Sequence, residues 1–349
     1  MNIGLLLTRM ARRFPSKTAL IHGQKEISYS QFNARVNRLA NALNHLGVTR
    51  GDRVALLQYN YPEMIESMFA CFKAGYGAVP INWRLHPKEF SFIINHAEAR
   101  AVVLSPEFNE SIIDIRENIP SARHLITLSE PEGELIDYED LISRASDRFR
   151  EVHVEPDDLA WLFYTSGTTG MPKGAMLTHR NLLAMTMNFY ADIYPGFGFE
   201  EAILHAAPLS HGSGLYALPN VGKGAANIIP ESKSFDPELI FRTIQQNRVT
   251  NMFSAPIMIK LMIESPASEK YDYSSMGALI YGGAPMLVED LKKAIEKFGT
   301  CLVQLYGQGE SPMTITYLPH EDHVLKGEPD QLIRLASVGL ARTGVEVKI

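Results

Sequence analysis

Apolar runs alternate with helix-period stretches along this chain, the pattern of parallel strands joined by helices. Asp52 to Gln58 reads as a buried strand and Tyr61 to Ala74 as the helix after it. Ala78 to Ile81 is a short strand, Pro87 to His96 a helix, and Ala101 to Leu104 another strand. The pattern returns in the second half. Thr250 to Phe253 runs into the helix-like PIMIKLMIE, Ala278 to Tyr281 into a helix over Leu287 to Phe298, and Cys301 to Leu305 into a turn at Tyr306. These strands end at Gly-, Ser- or Pro-rich turns, and open parallel sheets bind ligands at those carboxyl ends. Glu130 to Pro156 is rich in charge and turn residues and predicts a boundary between lobes. The expected fold class is α/β: a first subdomain over 1–155, which includes the N-terminal segment, and a second over 156–336, each a mostly parallel sheet flanked by helices. Ser337 to Ile349 reads as a turn entering a fresh strand, inside which the chain stops, so a fragment is expected.

Length and composition narrow the function. The 349 residues suffice for two or three packed units, and 46% hydrophobic with 21% charged residues is ordinary for a soluble globular protein. A net charge of -6 argues against a nucleic-acid surface, which needs a basic face. Cys71 and Cys301 are too few and too distant to suggest a disulfide framework. The apolar stretch Ile3 to Leu7 is short, and Arg9, Arg12 and Arg13 follow rather than precede it, unlike a signal peptide. No apolar run approaches the ~20 residues that span a bilayer. A cytoplasmic protein without a transmembrane segment is expected.

The candidate chemistry centres on one loop. Leu159 to Tyr164 is an apolar run that empties into TSGTTGMPKG. Glycines at Gly167, Gly170 and Gly174 let successive backbone N–H groups face one way and form an anion-binding concavity. Thr165, Ser166, Thr168 and Thr169 add hydroxyl donors and Lys173 a full positive charge, a combination suited to a triphosphate. A flexible surface loop is the plainer alternative. A Walker A loop would need Gly-Lys followed by Ser or Thr at a helix start. Here Lys173 follows Pro172, Ala175 to Leu177 reads as a strand, and the helix begins later with Thr178 as N-cap.

Tyr164 to Leu182, YTSGTTGMPKGAMLTHRNL, resembles the signature of the adenylate-forming superfamily: acyl-CoA synthetases, peptide-synthetase adenylation domains and beetle luciferases. Ser28 to Pro80 is also similar to acyl-CoA synthetases, and further motifs follow in the family's order. The resemblance implies that the loop holds ATP phosphates and that Gly282, Gly283, Ala284 and Pro285 lie against the adenine. Alone, those residues are more often a plain strand-to-helix turn. Gln304, Leu305, Tyr306, Gly307, Gln308 and Glu310 resemble the station where the tyrosine covers the other adenine face. Glu310 is implied to carry Mg²⁺, because a carboxylate beside polyphosphate needs a bridging cation. The sequence departs from the family at Gly309, where Thr is usual, and Ser311 or a water is expected to stand in. Ala207 to Tyr216 resembles the acyl station, with His211 facing the substrate carboxylate, although a lone His is more often structural. Its HGSG string is also like a lipase oxyanion loop, but no G-x-S-x-G elbow accompanies it.

Three other patterns have ordinary explanations. Gly222-Lys223-Gly224 lacks the third glycine of a dinucleotide fingerprint and reads as a turn. His320 to His323, HEDH, has metal-binding residue types but reads as an exposed polar loop, and Met258 and Met262 read as core.

The activity implied is formation of an acyl adenylate from ATP and a carboxylic acid, fatty or related, then thioester formation with coenzyme A. Lys173, Glu310 and His211 are the implied catalytic residues. Aryl- or dicarboxylate-CoA synthesis, or loading of a carrier protein, are alternatives. A non-catalytic nucleotide- or acyl-binding module is an alternative of another class. Two family elements do not occur before residue 349: the ribose-binding Asp of a Thr-Gly-Asp motif and the lysine of a mobile C-terminal domain. The resemblance therefore implies most of the large N-terminal domain, ending near the start of its β-rich subdomain at 337–349, with little adenylation activity alone. Oligomeric state is left open, with a homodimer as one arrangement.

Overall fold

The computed structural model describes residues 1–165 and 171–349. The chain parts into two compact units, the first formed by residues 1–20, 26–183 and 208–211, the second by 21–25, 184–207 and 212–349.

The first unit is built on a sheet whose strands run in the spatial order Ile136–Asp137, His124–Thr127, Ala99–Leu104, Arg53–Leu57, Gly77–Pro80, Leu159–Thr165 and Lys173–Thr178. Neighbours are parallel except the last pair, which is antiparallel. Parallel strands bury both faces, which is why Val54 to Leu57 and Ala101 to Leu104 are uninterrupted apolar runs with no exposed surface. Helix Pro62–Ala74 starts on Pro at its first turn and stops at Gly75, whose φ of 72° suits a residue without Cβ. Helix Pro87–His96 opens with a reciprocal cap between His86 and Glu89.

The units do not part at 155/156. Trp161 pairs across from Ala78, so Leu159–Thr165 extends the first sheet, and the unit runs on to Leu183. Charge and turns from 130 to 156 mark a surface crossing, and surface crossings do not by themselves end a core.

The second unit carries strands in the order Leu340–Ala341, Ser311–Leu318, Leu302–Gln308, Ala278–Tyr281, Asn251–Ser254, Ala202–Leu204 and Ala226–Ile229. From Ala226–Ile229 to Leu302–Gln308 neighbours are parallel, and the two beyond are antiparallel. Residues 21–25 form the tip of an N-terminal hairpin, with His22 Nδ1 3.1 Å from the Ile229 carbonyl oxygen. Helices Pro237–Asn247, Pro256–Glu264 and Val288–Phe298 bury Ile240, Phe241, Ile244, Ile259, Met262, Leu291 and Ala294 in one core with Met252, Leu279 and Leu302. Met258 and Met262 are buried, as their helix-face spacing predicts. Among the described residues no helix is long and apolar enough to cross a membrane.

Candidate active site

In the first unit the strand Leu159–Thr165 is anchored by fully buried Ala160 and Trp161 and delivers Thr165 to the carboxyl end of the sheet. Thr165 pairs with Lys173 across the antiparallel register, and Lys173 is exposed. Gly174 lies under the Tyr164 ring, where a Cβ would stand 3.1 Å from Cζ. The Tyr164 hydroxyl is 2.7 Å from His96 Nδ1, and burial pushes its pKa up to about 12. The Thr178 hydroxyl accepts from the Asn181 N–H at 3.2 Å, while Asn181 Oδ1 accepts from the Thr178 N–H at 2.9 Å. Helix His179–Asn188 starts on that cap, so Lys173 heads a strand rather than a helix, unlike the Walker A build. Ser166, Gly167, Thr168, Thr169 and Gly170 lie outside the described residues.

His211 belongs to the first unit through the short segment 208–211. The Leu209 N–H donates to Asn60 Oδ1 at 2.8 Å, and the His211 ring lies 4.8 Å from the Phe163 ring. The imidazole is exposed, yet enough protein surrounds it for desolvation to lower its pKa. At neutral pH the ring is therefore uncharged and open to a ligand. Asn60 and Phe163 were not singled out from the sequence. Both sit at or near the carboxyl ends of strands, where the parallel-sheet rule directs attention.

In the second unit the two expected adenine stations come together at the ends of adjacent parallel strands. Tyr281 pairs with Gln304, which places Gly282 beside Leu305. A Cβ at Gly282 would stand 2.4 Å from the Leu305 carbonyl oxygen, so only glycine permits this approach. Gly283 has φ 81°, and Gly283, Ala284 and Pro285 are exposed. Tyr306 is 39% exposed, which leaves a ring face for a ligand, and its hydroxyl accepts from Gln308 Nε2 at 3.1 Å. Gln304 Oε1 is buried without a hydrogen-bond partner among the described residues.

The strand register shifts between Tyr306 and Gln308, a bulge that turns the chain toward exposed Glu310. Among the described residues no group of three or more His, Cys, Asp or Glu side chains forms a metal cage. One exposed carboxylate fits the way Mg²⁺ is held, by one or two carboxylates together with substrate phosphates. Gly309 is buried, and the Ser311 hydroxyl is 2.7 Å from that of Thr314.

His320 to His323 is not the exposed loop its composition predicts. His323 is buried between Tyr281 and Pro319, with Nε2 3.0 Å from the Tyr281 hydroxyl and Nδ1 2.8 Å from the Pro319 carbonyl oxygen. A carbonyl can only accept, so Nδ1 carries the proton and Tyr281 donates to Nε2. Asp322 pairs with Arg334 at 2.6 Å. His323 ties the end of strand Ala278–Tyr281 to the residue after strand Ser311–Leu318, and Asp322 ties its turn to the one at Arg334.

Residues 7–349 match the model of the AMP-binding enzyme family. The chain belongs to that family. It is 35% identical over 88% of its length to feruloyl-CoA synthase of Amycolatopsis sp, covering 60% of that protein. It is 32% identical over 92% of its length to indoleacetate–CoA ligase of Aromatoleum aromaticum, covering 62% of it. The chain thus spans about three-fifths of the length of these relatives. Its fold matches the inhibitor-bound N-terminal domain of FACL13 from Mycobacterium tuberculosis with a TM-score of 0.86 and 28% identity, over 98% of this chain and 82% of that one. The mixed α/β architecture of this AMP-binding chain, two mostly parallel sheets flanked by helices, is shared with that domain.

Proposed function

We propose that this chain is the nucleotide-binding part of an AMP-forming ligase that activates a carboxylic acid and passes it to coenzyme A. In the first step a carboxylate oxygen attacks the α-phosphorus of ATP, and the bond to pyrophosphate breaks. In the second the coenzyme A thiol gives up its proton, its sulfur bonds to the acyl carbon, and AMP leaves. The observation that carries this reading is the close approach of Gly282 to the Leu305 carbonyl, which aligns an exposed glycine turn beside the exposed ring of Tyr306.

Bond-making here needs alignment and charge neutralisation more than covalent help. Lys173 and Thr165 would meet the phosphates, with Ser166, Gly167, Thr168, Thr169 and Gly170 between them. Glu310 would hold Mg²⁺, which supplies charge neutralisation at the phosphates when bound. His211, kept neutral by desolvation, would face the carboxylate without repelling ATP's counter-cation. Aromatic acids are the first substrates to test, because relatives at 35% and 32% identity are named for feruloyl and indoleacetate substrates. Fatty acids are the second class, since a relative at 29% identity is a medium/long-chain fatty acid ligase.

The test is calorimetry of this chain with ATP and with a non-hydrolysable acyl-adenylate analogue. Saturable binding of both is expected. Gly282→Val should weaken both more than tenfold, and Lys173→Ala should weaken ATP about tenfold, the loss of one charge-assisted contact. No binding of either ligand by the unmodified chain would overturn the proposal.

A further inference from the structure

One buried ion pair lies outside the nucleotide stations. Arg342 and Asp192, 150 residues apart in sequence, meet at 2.8 Å with side chains 1% and 4% exposed. Asp192 lies on the π-helical turn Phe189–Ile193, and π-turns often mark functional sites. Its carboxylate also accepts from the Thr343 N–H at 3.0 Å and from the Thr343 hydroxyl at 2.5 Å. Desolvation would raise the Asp192 pKa, but the Thr343 and Arg342 bonds outweigh it and hold the carboxyl below its usual range.

The other arm of the guanidinium reaches a backbone under constraint. Arg342 Nη1 donates to the Met313 carbonyl oxygen at 2.7 Å. Met313 has φ 61°, a conformation that non-glycine residues rarely hold without outside support. Its nitrogen packs closely against the turn that holds Gly307, where an added Cβ would stand 2.3 Å from it. The Arg342 N–H also donates to the Ile315 carbonyl at 3.1 Å, and its guanidinium lies 5.4 Å from the Tyr317 ring centroid. Asp192, Arg342, Met313 and Gly307 thus form one continuous chain of contacts that ends at the bulge between Tyr306 and Gln308.

We propose that Arg342, fixed by Asp192, is a positioning residue that sets the Gly307–Glu310 turn, beyond the ladder pair of Tyr306 with Thr316, and so aims Glu310 at a nucleotide-bound Mg²⁺. The inference rests on the reading of Glu310 given above. A guanidinium suits the task because its planar fork can meet a carboxylate and a carbonyl at once, and an ammonium cannot reproduce that fork. A buried ion pair replaced by neutral side chains often keeps its stability, which allows aim to be separated from folding.

The double variant Asp192→Asn/Arg342→Met makes the separation. The introduced asparagine keeps an acceptor for Thr343 and the introduced methionine keeps the stem volume, but the Met313 carbonyl loses its donor. Calorimetry measures the affinity for ATP with and without Mg²⁺, and for AMP alone. The expected result is a roughly tenfold loss of the Mg²⁺-dependent gain in ATP affinity, with AMP affinity within about twofold of the unmodified chain. Arg342→Lys, which keeps a buried cation beside Asp192, should show the same selective loss at about threefold if the double variant does not fold. An undiminished Mg²⁺-dependent gain overturns the proposal. So does an equal loss for AMP and Mg²⁺-ATP, which is what a purely structural role produces. If the unmodified chain binds ATP with no Mg²⁺-dependent gain, the assignment of Glu310 fails instead.

Discussion

In the first unit a parallel strand, Leu159–Thr165, is followed by an antiparallel neighbour that begins at Lys173. In the second, Leu302–Gln308 is followed by an antiparallel neighbour, Ser311–Leu318, and Glu310 precedes it. Each strand pair closes the C-terminal end of a parallel series and presents one exposed charge. They are secured differently. Thr165 pairs directly with Lys173, and the register shift of that pair lies at its far end, between Leu159 and Trp161. In the second pair the shift falls at the turn, where Met313 has a left-handed φ and a buried ion pair holds its carbonyl. A charge on a regular strand needs only the ladder to place it. A charge on a bulged turn needs a tie from elsewhere in the chain.

Three measurements would break or sharpen this contrast. The largest effect belongs to Arg342→Met, which leaves Asp192 buried and unpaired and should lower stability by about 3–5 kcal/mol in urea unfolding. A loss below about 1 kcal/mol would mean that the tie holds nothing.

Acidification comes next, taken ring by ring. Burial lowers the pKa of His205 and His323 in the second unit, and of His179 in the first, each to about 4 from an ordinary 6.5. A lowered folded pKa means that these rings are neutral in the fold and take up protons on unfolding. Their contribution is full above pH 6.5 and is lost as pH falls toward 4, roughly 3 kcal/mol for each ring. The second unit carries two of the three and should lose structure first. Both tryptophans, Trp83 and Trp161, lie in the first unit. Far-ultraviolet circular dichroism should therefore begin to change at a higher pH than tryptophan fluorescence, and coincident curves would contradict the ordering.

The smallest effect is at Thr178. Removing its cap with Thr178→Ala should cost about 1 kcal/mol in urea unfolding. A loss as large as that of Arg342→Met would show that the first strand pair also depends on a single support outside its ladder.

Much of the fold was legible in the sequence because its elements carry local signals. Ala278 to Tyr281 and Pro87 to His96 have the expected bounds, and Thr178 caps the helix as predicted. Gly283 and Tyr306, exposed in glycine-rich turns, could be proposed as site residues from the motifs around them. The boundary between units could not, since pairing of Leu159–Thr165 with Gly77–Pro80 joins segments about 80 residues apart. The burial of His323 is hidden for the same reason: polar neighbours suggest exposure, and only packing against Tyr281 buries it.

The strand-and-helix pattern by itself determined the α/β class, because periodicity and turn chemistry act over a few residues, and the resemblance carried by the motifs implied the candidate nucleotide stations. Only the tertiary structure decided that Gly282 abuts Leu305, that Phe163 meets His211, and that Arg342 reaches both Asp192 and Met313. Those contacts depend on strand order and burial, and nothing in the local sequence around Arg342 marks it as different from a surface arginine. Desolvation obliges a buried charge to find a partner. Which partner it finds is settled by the fold.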